Sequence, residues 1–184
     1  MRVLVTGGSA SGKSEFAEKL LLSLCAAADG GAFSAAQKYY IATMPIFSAE
    51  DEARKEKHLR ARQGRGFLTI EQPDDLSTLR LPDASGTDTL RFALLEDIGN
   101  LAANEMFGKN GVSGAAERVA AGALSLAAQC DGAVIVSVDV ARDGICYDDE
   151  TREYIRIIEH VNRALSAEFD EVYEVVAGIA IKVK

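Results

Sequence analysis

The chain carries one contiguous stretch whose residue types and spacing point to chemistry. Gly7-Gly8-Ser9-Ala10-Ser11-Gly12-Lys13-Ser14 fits GxxxxGK[ST] at every fixed position. Glycines let the backbone curl so that successive N–H groups point at phosphate oxygens. A helix starting behind them adds partial positive charge. Lys13 is placed to reach the β- and γ-phosphates, and the Ser14 hydroxyl to ligate Mg²⁺. Gly7, Gly8, Ser9, Ser11, Gly12, Lys13 and Ser14 are the expected phosphate-holding residues. A glycine turn with an incidental lysine is the bland alternative, but the full motif sits between a strand and a helix, where the mechanism needs it. The motif predicts nucleoside triphosphate binding and leaves kinase, hydrolase and switch open.

A phosphate loop needs a second acid at the end of a neighbouring strand. Glu96 and Asp97 follow Leu94-Leu95. Either could hold Mg²⁺ in the manner of a Walker B carboxylate. Asp97 also precedes an expected helix and could serve as its N-cap. The two roles can coexist, one on each residue.

The run Arg54-Lys55-Glu56-Lys57-His58-Leu59-Arg60-Ala61-Arg62 is locally basic. Arg54, His58 and Arg62 are spaced by four and share one face of a helix. A neutral imidazole can attack a nucleotide α-phosphorus and carry the nucleotidyl group. Flanking arginines would neutralise phosphate charge during that transfer. Spacing alone favours a solvated charged face with a passive histidine. The second histidine, His160, reads as a surface or packing residue on the longest helix.

The elements that must position these groups alternate regularly. Strands are expected at 2–6, 38–42, 67–71, 89–95, 132–138 and 171–176, with a last short one at 179–183. Helices are expected at 14–28, from about 48, at 98–107, 115–129 and 149–169. Strand and helix in alternation predict βαβ units. The expected fold class is α/β, a P-loop NTPase-like three-layer fold with a mostly parallel central sheet. No repeat or linker divides residues 1–184, so one domain is expected.

Composition bounds the partners. Lys plus Arg is 20 and Asp plus Glu is 28 in 184 residues, a net charge of −8. Such a balance argues against a broad nucleic-acid or anionic-membrane surface, which needs clustered positive charge. It leaves room for a local basic pocket. Cys25, Cys130 and Cys146 are odd in number and form no CxxC, which fits a reducing compartment. The first apolar run is too short for a signal peptide, and none approaches about 20 residues. A soluble cytoplasmic protein is expected.

Together the motifs resemble the adenosylcobinamide kinase/adenosylcobinamide-phosphate guanylyltransferase family of cobalamin biosynthesis, over nearly the whole length. VLVTGGSASGKS is similar to the family's first strand and phosphate loop, and YYIAT at 39–43 to its second strand. Arg54, His58 and Arg62 match its R-I-x-x-H-x-x-x-R stretch. LLEDIGNLAANEMF at 94–107 resembles the segment with the Walker-B-like acid, which places that acid at Glu96 and a typical asparagine at Asn104. Asn162 and the ending DEVYEVVAGIAIKVK are also family-like.

The resemblance implies two reactions, with ATP or GTP as substrate and Mg²⁺ as cofactor. A nucleoside triphosphate phosphorylates the aminopropanol hydroxyl of adenosylcobinamide. GTP then guanylylates His58, and GMP passes to the cobinamide phosphate. Lys13 and Glu96 would act with His58 in catalysis, Ser14 and Glu96 would serve the metal, and Arg54 and Arg62 would bind nucleotide phosphates. A homotrimer is also implied. The chain departs from the pattern at Ala10, Lys55 and Gln63, across the Val138–Tyr147 loop, and at Ile155, Arg156 and Glu159. The alternatives resting on those departures are a kinase for another small alcohol and a non-catalytic nucleotide-binding module.

Overall fold

The computed structural model describes residues 1–28, 36–45, 64–82, 89–140 and 146–184. The expected helix from about 48, with Arg54, His58 and Arg62, lies outside the described residues. So does most of the loop between Val140 and Cys146.

Seven strands form one sheet: β1 Arg2–Thr6, β2 Gln37–Ala42, β3 Phe67–Glu71, β4 Arg91–Glu96, β5 Gly132–Val136, β6 Glu171–Val176 and β7 Ile179–Lys182. Their order is β3-β2-β4-β5-β1-β6-β7. All neighbours run parallel except β7, which returns antiparallel to β6. The described helices are α1 Lys13–Ala28, α2 Ile98–Phe107, α3 Ala115–Ala128 and α4 Asp149–Glu168, with a 3₁₀ turn at Leu76–Thr78.

Both faces of the sheet are covered, so its strands are nearly continuous apolar runs. Val3, Val5, Tyr40, Phe92, Leu94, Val134 and Val136 pack with Ala17, Leu21 and Cys25 of α1. Leu4, Tyr39, Ile41, Ala93, Leu95 and Ile135 face the other way, onto α2, α3 and α4. This alternation makes three layers. The connection after β1 carries α1 on one face, and the connection after β5 carries α4 on the opposite face. The chain thus reverses direction around β1, and ligand crevices in such sheets open at the carboxyl ends of the strands there.

The expected elements match with small shifts at their ends. β4 spans 91–96 rather than 89–95, because pairing with β2 continues to the Ala42–Glu96 register. Glu96 therefore ends the strand instead of following it. β5 stops at Val136 rather than 138, although Ser137 N still donates to Val5 O at 2.9 Å.

One charge pair, with Glu105 buried and Arg118 half-buried, ties the helical layer together. Glu105 on α2 is buried and accepts from Arg118 Nε at 2.8 Å and from the Asp75 amide at 2.7 Å. The same guanidinium donates to the carbonyls of Ser113 and Gly111. Residues 111–113 lead into α3, whose N-cap Gly114 has no side chain to offer. Removing Arg118 leaves the buried Glu105 charge uncompensated. Arg118→Ala is expected to cost about 1–3 kcal/mol of stability, less than for a fully buried pair because Arg118 is partly solvated, read as a fall in the urea midpoint with unchanged slope.

Candidate active site

The phosphate loop joins β1 to α1 and needs glycine at two bends. Gly7 has φ +154°, and a Cβ there would lie 2.5 Å from Val175 O and 2.7 Å from Ser11 Oγ. Gly12 has φ +91° and sits 3.3 Å, measured from an added Cβ, from Gly178 Cα. Both glycines are therefore pressed against the β6–β7 hairpin. Gly178 N also donates to Ser11 O at 2.8 Å. The other flank is held by Asp139 N, which donates to Gly7 O at 3.1 Å. Gly8, by contrast, has open space where a side chain would be.

Lys13 is buried, and its Nζ donates to Gly8 O at 3.1 Å. It has no carboxylate partner among the described residues. A desolvated ammonium is costly without an anion, so the loop is built to receive one. The Ser11 hydroxyl is likewise buried and has no hydrogen-bond partner among the described residues.

Ser14 Oγ donates a short hydrogen bond to Glu96 Oε1. The first hydroxyl of α1 thus meets the acid at the end of β4, although β5 lies between β4 and β1. These two oxygen donors, one of them anionic, suit a hard divalent cation such as Mg²⁺. Asp97 takes the other role. Its carboxylate accepts from Asn100 N at 2.8 Å and caps α2. Asp97 is thus the helix cap, while Glu96 faces the Ser14 hydroxyl.

Thr43 was missed by sequence reasoning. It follows β2 and is fully buried. Its Oγ1 lies 2.9 Å from Glu96 O, 2.8 Å from Asp97 O and 2.8 Å from Asp97 N. One hydroxyl donates a single proton, so it donates to these carbonyls in a shared fashion and accepts from the amide. The Glu96–Asp97 peptide bond is cis. Asn104 Nδ2 donates to Thr43 O at 2.8 Å and Pro73 O at 2.7 Å. Asn104 and Thr43 therefore position Glu96 from behind. A polar residue closing the apolar run YYIA was the available signal.

A cleft of about 440 Å³ opens beside the loop. Ser9 and Ala10 form one wall, and Asp139, Glu174, Val176 and Ala177 the other. Neither acid was singled out for this role from the sequence. The remaining expected residues divide simply. Gly7, Gly8, Ser9, Ser11, Gly12, Lys13 and Ser14 share the loop, Glu96 joins them, and Arg54, His58 and Arg62 lie outside the described residues. His160 is exposed on α4.

Comparison with known proteins bears on this arrangement. The family model for cobinamide kinase / cobinamide phosphate guanyltransferase matches residues 3–183. The bifunctional adenosylcobalamin biosynthesis protein CobU of Salmonella typhimurium is 31% identical over 196 aligned positions, covering 100% of both chains. The protein of that name from Escherichia coli is 31% identical over 198, again across 100% of both. A crystal structure of the KaiC-like protein PH0186 from Pyrococcus horikoshii aligns with 94% of this chain and 71% of its own, at 13% identity and a TM-score of 0.47. With a match that runs from β1 through β7 and takes in the phosphate loop and its acid, the chain belongs to the cobinamide kinase / cobinamide phosphate guanyltransferase family.

Proposed function

We propose that this chain phosphorylates the aminopropanol hydroxyl of adenosylcobinamide with ATP or GTP, and then transfers GMP from GTP to the resulting phosphate. The observation that carries the reading is the buried Lys13 ammonium, short of an anion, beside the joined Ser14 and Glu96.

In the first reaction the acceptor oxygen attacks the γ-phosphorus, the bond from that phosphorus to the β-bridging oxygen breaks, and the nucleoside diphosphate leaves. The amides of the phosphate loop and Lys13 hold the oxygens on which charge accumulates. Gly7 and Gly12 keep those amides in place by their packing on the hairpin. Ser14 and Glu96 would hold Mg²⁺, which when bound neutralises charge on the β- and γ-phosphates. Thr43 and Asn104 keep the Glu96 carboxylate aimed at Ser14.

In the second reaction an imidazole nitrogen of His58 attacks the α-phosphorus of GTP. A P–N bond forms, the α–β P–O bond breaks, and pyrophosphate leaves. A phosphate oxygen of the cobinamide phosphate then takes the GMP and frees the histidine. The assignment of His58, and of Arg54 and Arg62 as phosphate partners, is supported by the family match across that stretch. Incubation with GTP labelled at the α-phosphate is expected to give acid-labile, base-stable label on the protein. His58→Ala should lose the label and keep the phosphorylation of cobinamide. Label that survives the substitution would overturn the assignment.

The reading takes residues 1–184 as one nucleotide-binding domain, soluble and cytoplasmic, with corrinoid and nucleotide rather than nucleic acid or membrane as partners. No described helix is long and apolar enough to cross a membrane. A homotrimer completes it. Ile179 and Ile181 on the edge strand β7, and Val183 just past it, are exposed, a surface that another copy would cover.

A further inference from the structure

We infer that Asn162 is a positioning residue for the phosphate loop, acting through the single peptide group that joins Val138 to Asp139. The inference rests on the proposed use of a nucleoside triphosphate at that loop and names the α4 side chain that keeps the loop in shape for it.

The shape of the loop is set at its first peptide. Gly7 O accepts from Asp139 N at 3.1 Å, and the same peptide group carries the Gly8 amide. Gly8 O in turn accepts from Lys13 Nζ at 3.1 Å. A trans peptide is planar, so the bond to Gly7 O also fixes the direction of the Gly8 N–H. A turn of that plane would swing the Gly8 amide off the phosphates it is proposed to hold, and would shift the carbonyl that steadies Lys13.

The Asp139 amide is itself aimed from the other end of its peptide. Val138 O and Asp139 N belong to one planar group, and Asn162 Nδ2 donates to Val138 O at 3.3 Å. β5 has ended at Val136, so Val138 O lies past the sheet's own pairing and the side chain takes it. Hydrogen bonds at the two ends of a peptide polarise one another. Asn162, the 138–139 peptide and Gly7 thus form one hydrogen-bonded chain from α4 to the phosphate loop.

The packing of α4 does not account for an amide at this position. The helix packs through buried Ile157, Ile158, Val161 and Leu165, and Asn162 sits half-buried beside them. Its Oδ1 is buried with no partner among the described residues. Burying a polar atom without a compensating bond costs stability, so Nδ2 is the half of the side chain that is satisfied. An isosteric leucine would pack on the same face without that cost. The amide is explained by what it does for Val138 O.

Isothermal titration of the full chain with GTP and with ATP in Mg²⁺ buffer, together with the kinetics of cobinamide phosphorylation, tests the inference. Asn162→Leu keeps the volume without a donor, and its apolar side chain suits this face of α4, so it is expected to fold. Asn162→Asp keeps the shape and turns a second acceptor toward Val138 O. Each should bind triphosphate about 10-fold more weakly, the loss of roughly one hydrogen bond. Each should also raise the KM for nucleotide and leave the KM for cobinamide unchanged. Lys184→Met is the control for a general loosening of α4, because Lys184 Nζ holds the carbonyls of Ser166, Ala167 and Phe169 at the far end of the helix. It should lower the melting temperature and leave triphosphate affinity as in the wild type. Unchanged triphosphate affinity in the folded leucine variant, or an equal loss in Lys184→Met, overturns the inference and leaves triphosphate binding intact. Failure of the wild type to bind either nucleotide overturns the triphosphate reading itself.

Discussion

Lys13→Ala is expected to lower the rate of cobinamide phosphorylation by about 10²–10³-fold, the usual loss when one preorganised donor to a developing charge is removed. The direction of its effect on stability is the opposite of what a lost buried side chain would suggest. Lys13 is buried with a carbonyl as its hydrogen-bond partner and no carboxylate among the described residues. Burying such a charge works against folding. The nucleotide-free variant should therefore melt no lower than the wild type, while the gain in melting temperature on adding GTP should largely vanish. Phosphorylation at close to the wild-type rate, in a variant with a normal melt, would remove Lys13 from the mechanism.

Gly7→Ala should be the more damaging change to the fold, although it adds only one carbon. That carbon would sit 2.5 Å from a backbone oxygen of Val175 and 2.7 Å from Ser11 Oγ, at a φ of +154°. Backbone cannot step aside as the end of a flexible side chain can. Overpacking and backbone strain each cost about 1–3 kcal/mol. A loss of roughly 2–4 kcal/mol is expected, seen as a fall in the denaturation midpoint together with loss of nucleotide binding. Gly8→Ala is the internal comparison, because no described residue lies within 4 Å of the carbon it would add. Equal stability of the Gly7 and Gly8 variants would mean that the packing of the loop on the hairpin is unimportant.

The contrast between these glycines shows what a sequence can and cannot convey. The phosphate loop was legible because its chemistry needs consecutive residues, so the motif is local. The strands were legible because a sheet covered on both faces demands unbroken apolar runs, such as Leu4 on one face between Val3 and Val5 on the other. The division of labour between Glu96 and Asp97 was left open. Which acid faces Ser14 depends on a contact 82 positions apart in the chain. Thr43, Asp139 and Glu174 were not legible as site residues for the same reason. Each belongs to the site because the strand order places β2 beside β4, β5 between β4 and β1, and β6 against the other side of β1. No local pattern encodes that order.

The support of the phosphate loop by the β6–β7 hairpin has a consequence for how the protein is made. β1 pairs with β5 and β6, so Arg2 stands opposite Ala133, and Val3 opposite Glu171. The ribosome therefore delivers the nucleotide-holding residues well before their supports at Val175 and Gly178. Until Gly178 can donate to Ser11, a nascent chain holds the motif without its shape. Contacts so distant along the chain make folding slow. A ligand that binds only the finished loop draws the population toward the completed protein by mass action. Cellular nucleotide would thus act on the newborn chain as a chaperone of its own enzyme before it serves as a substrate.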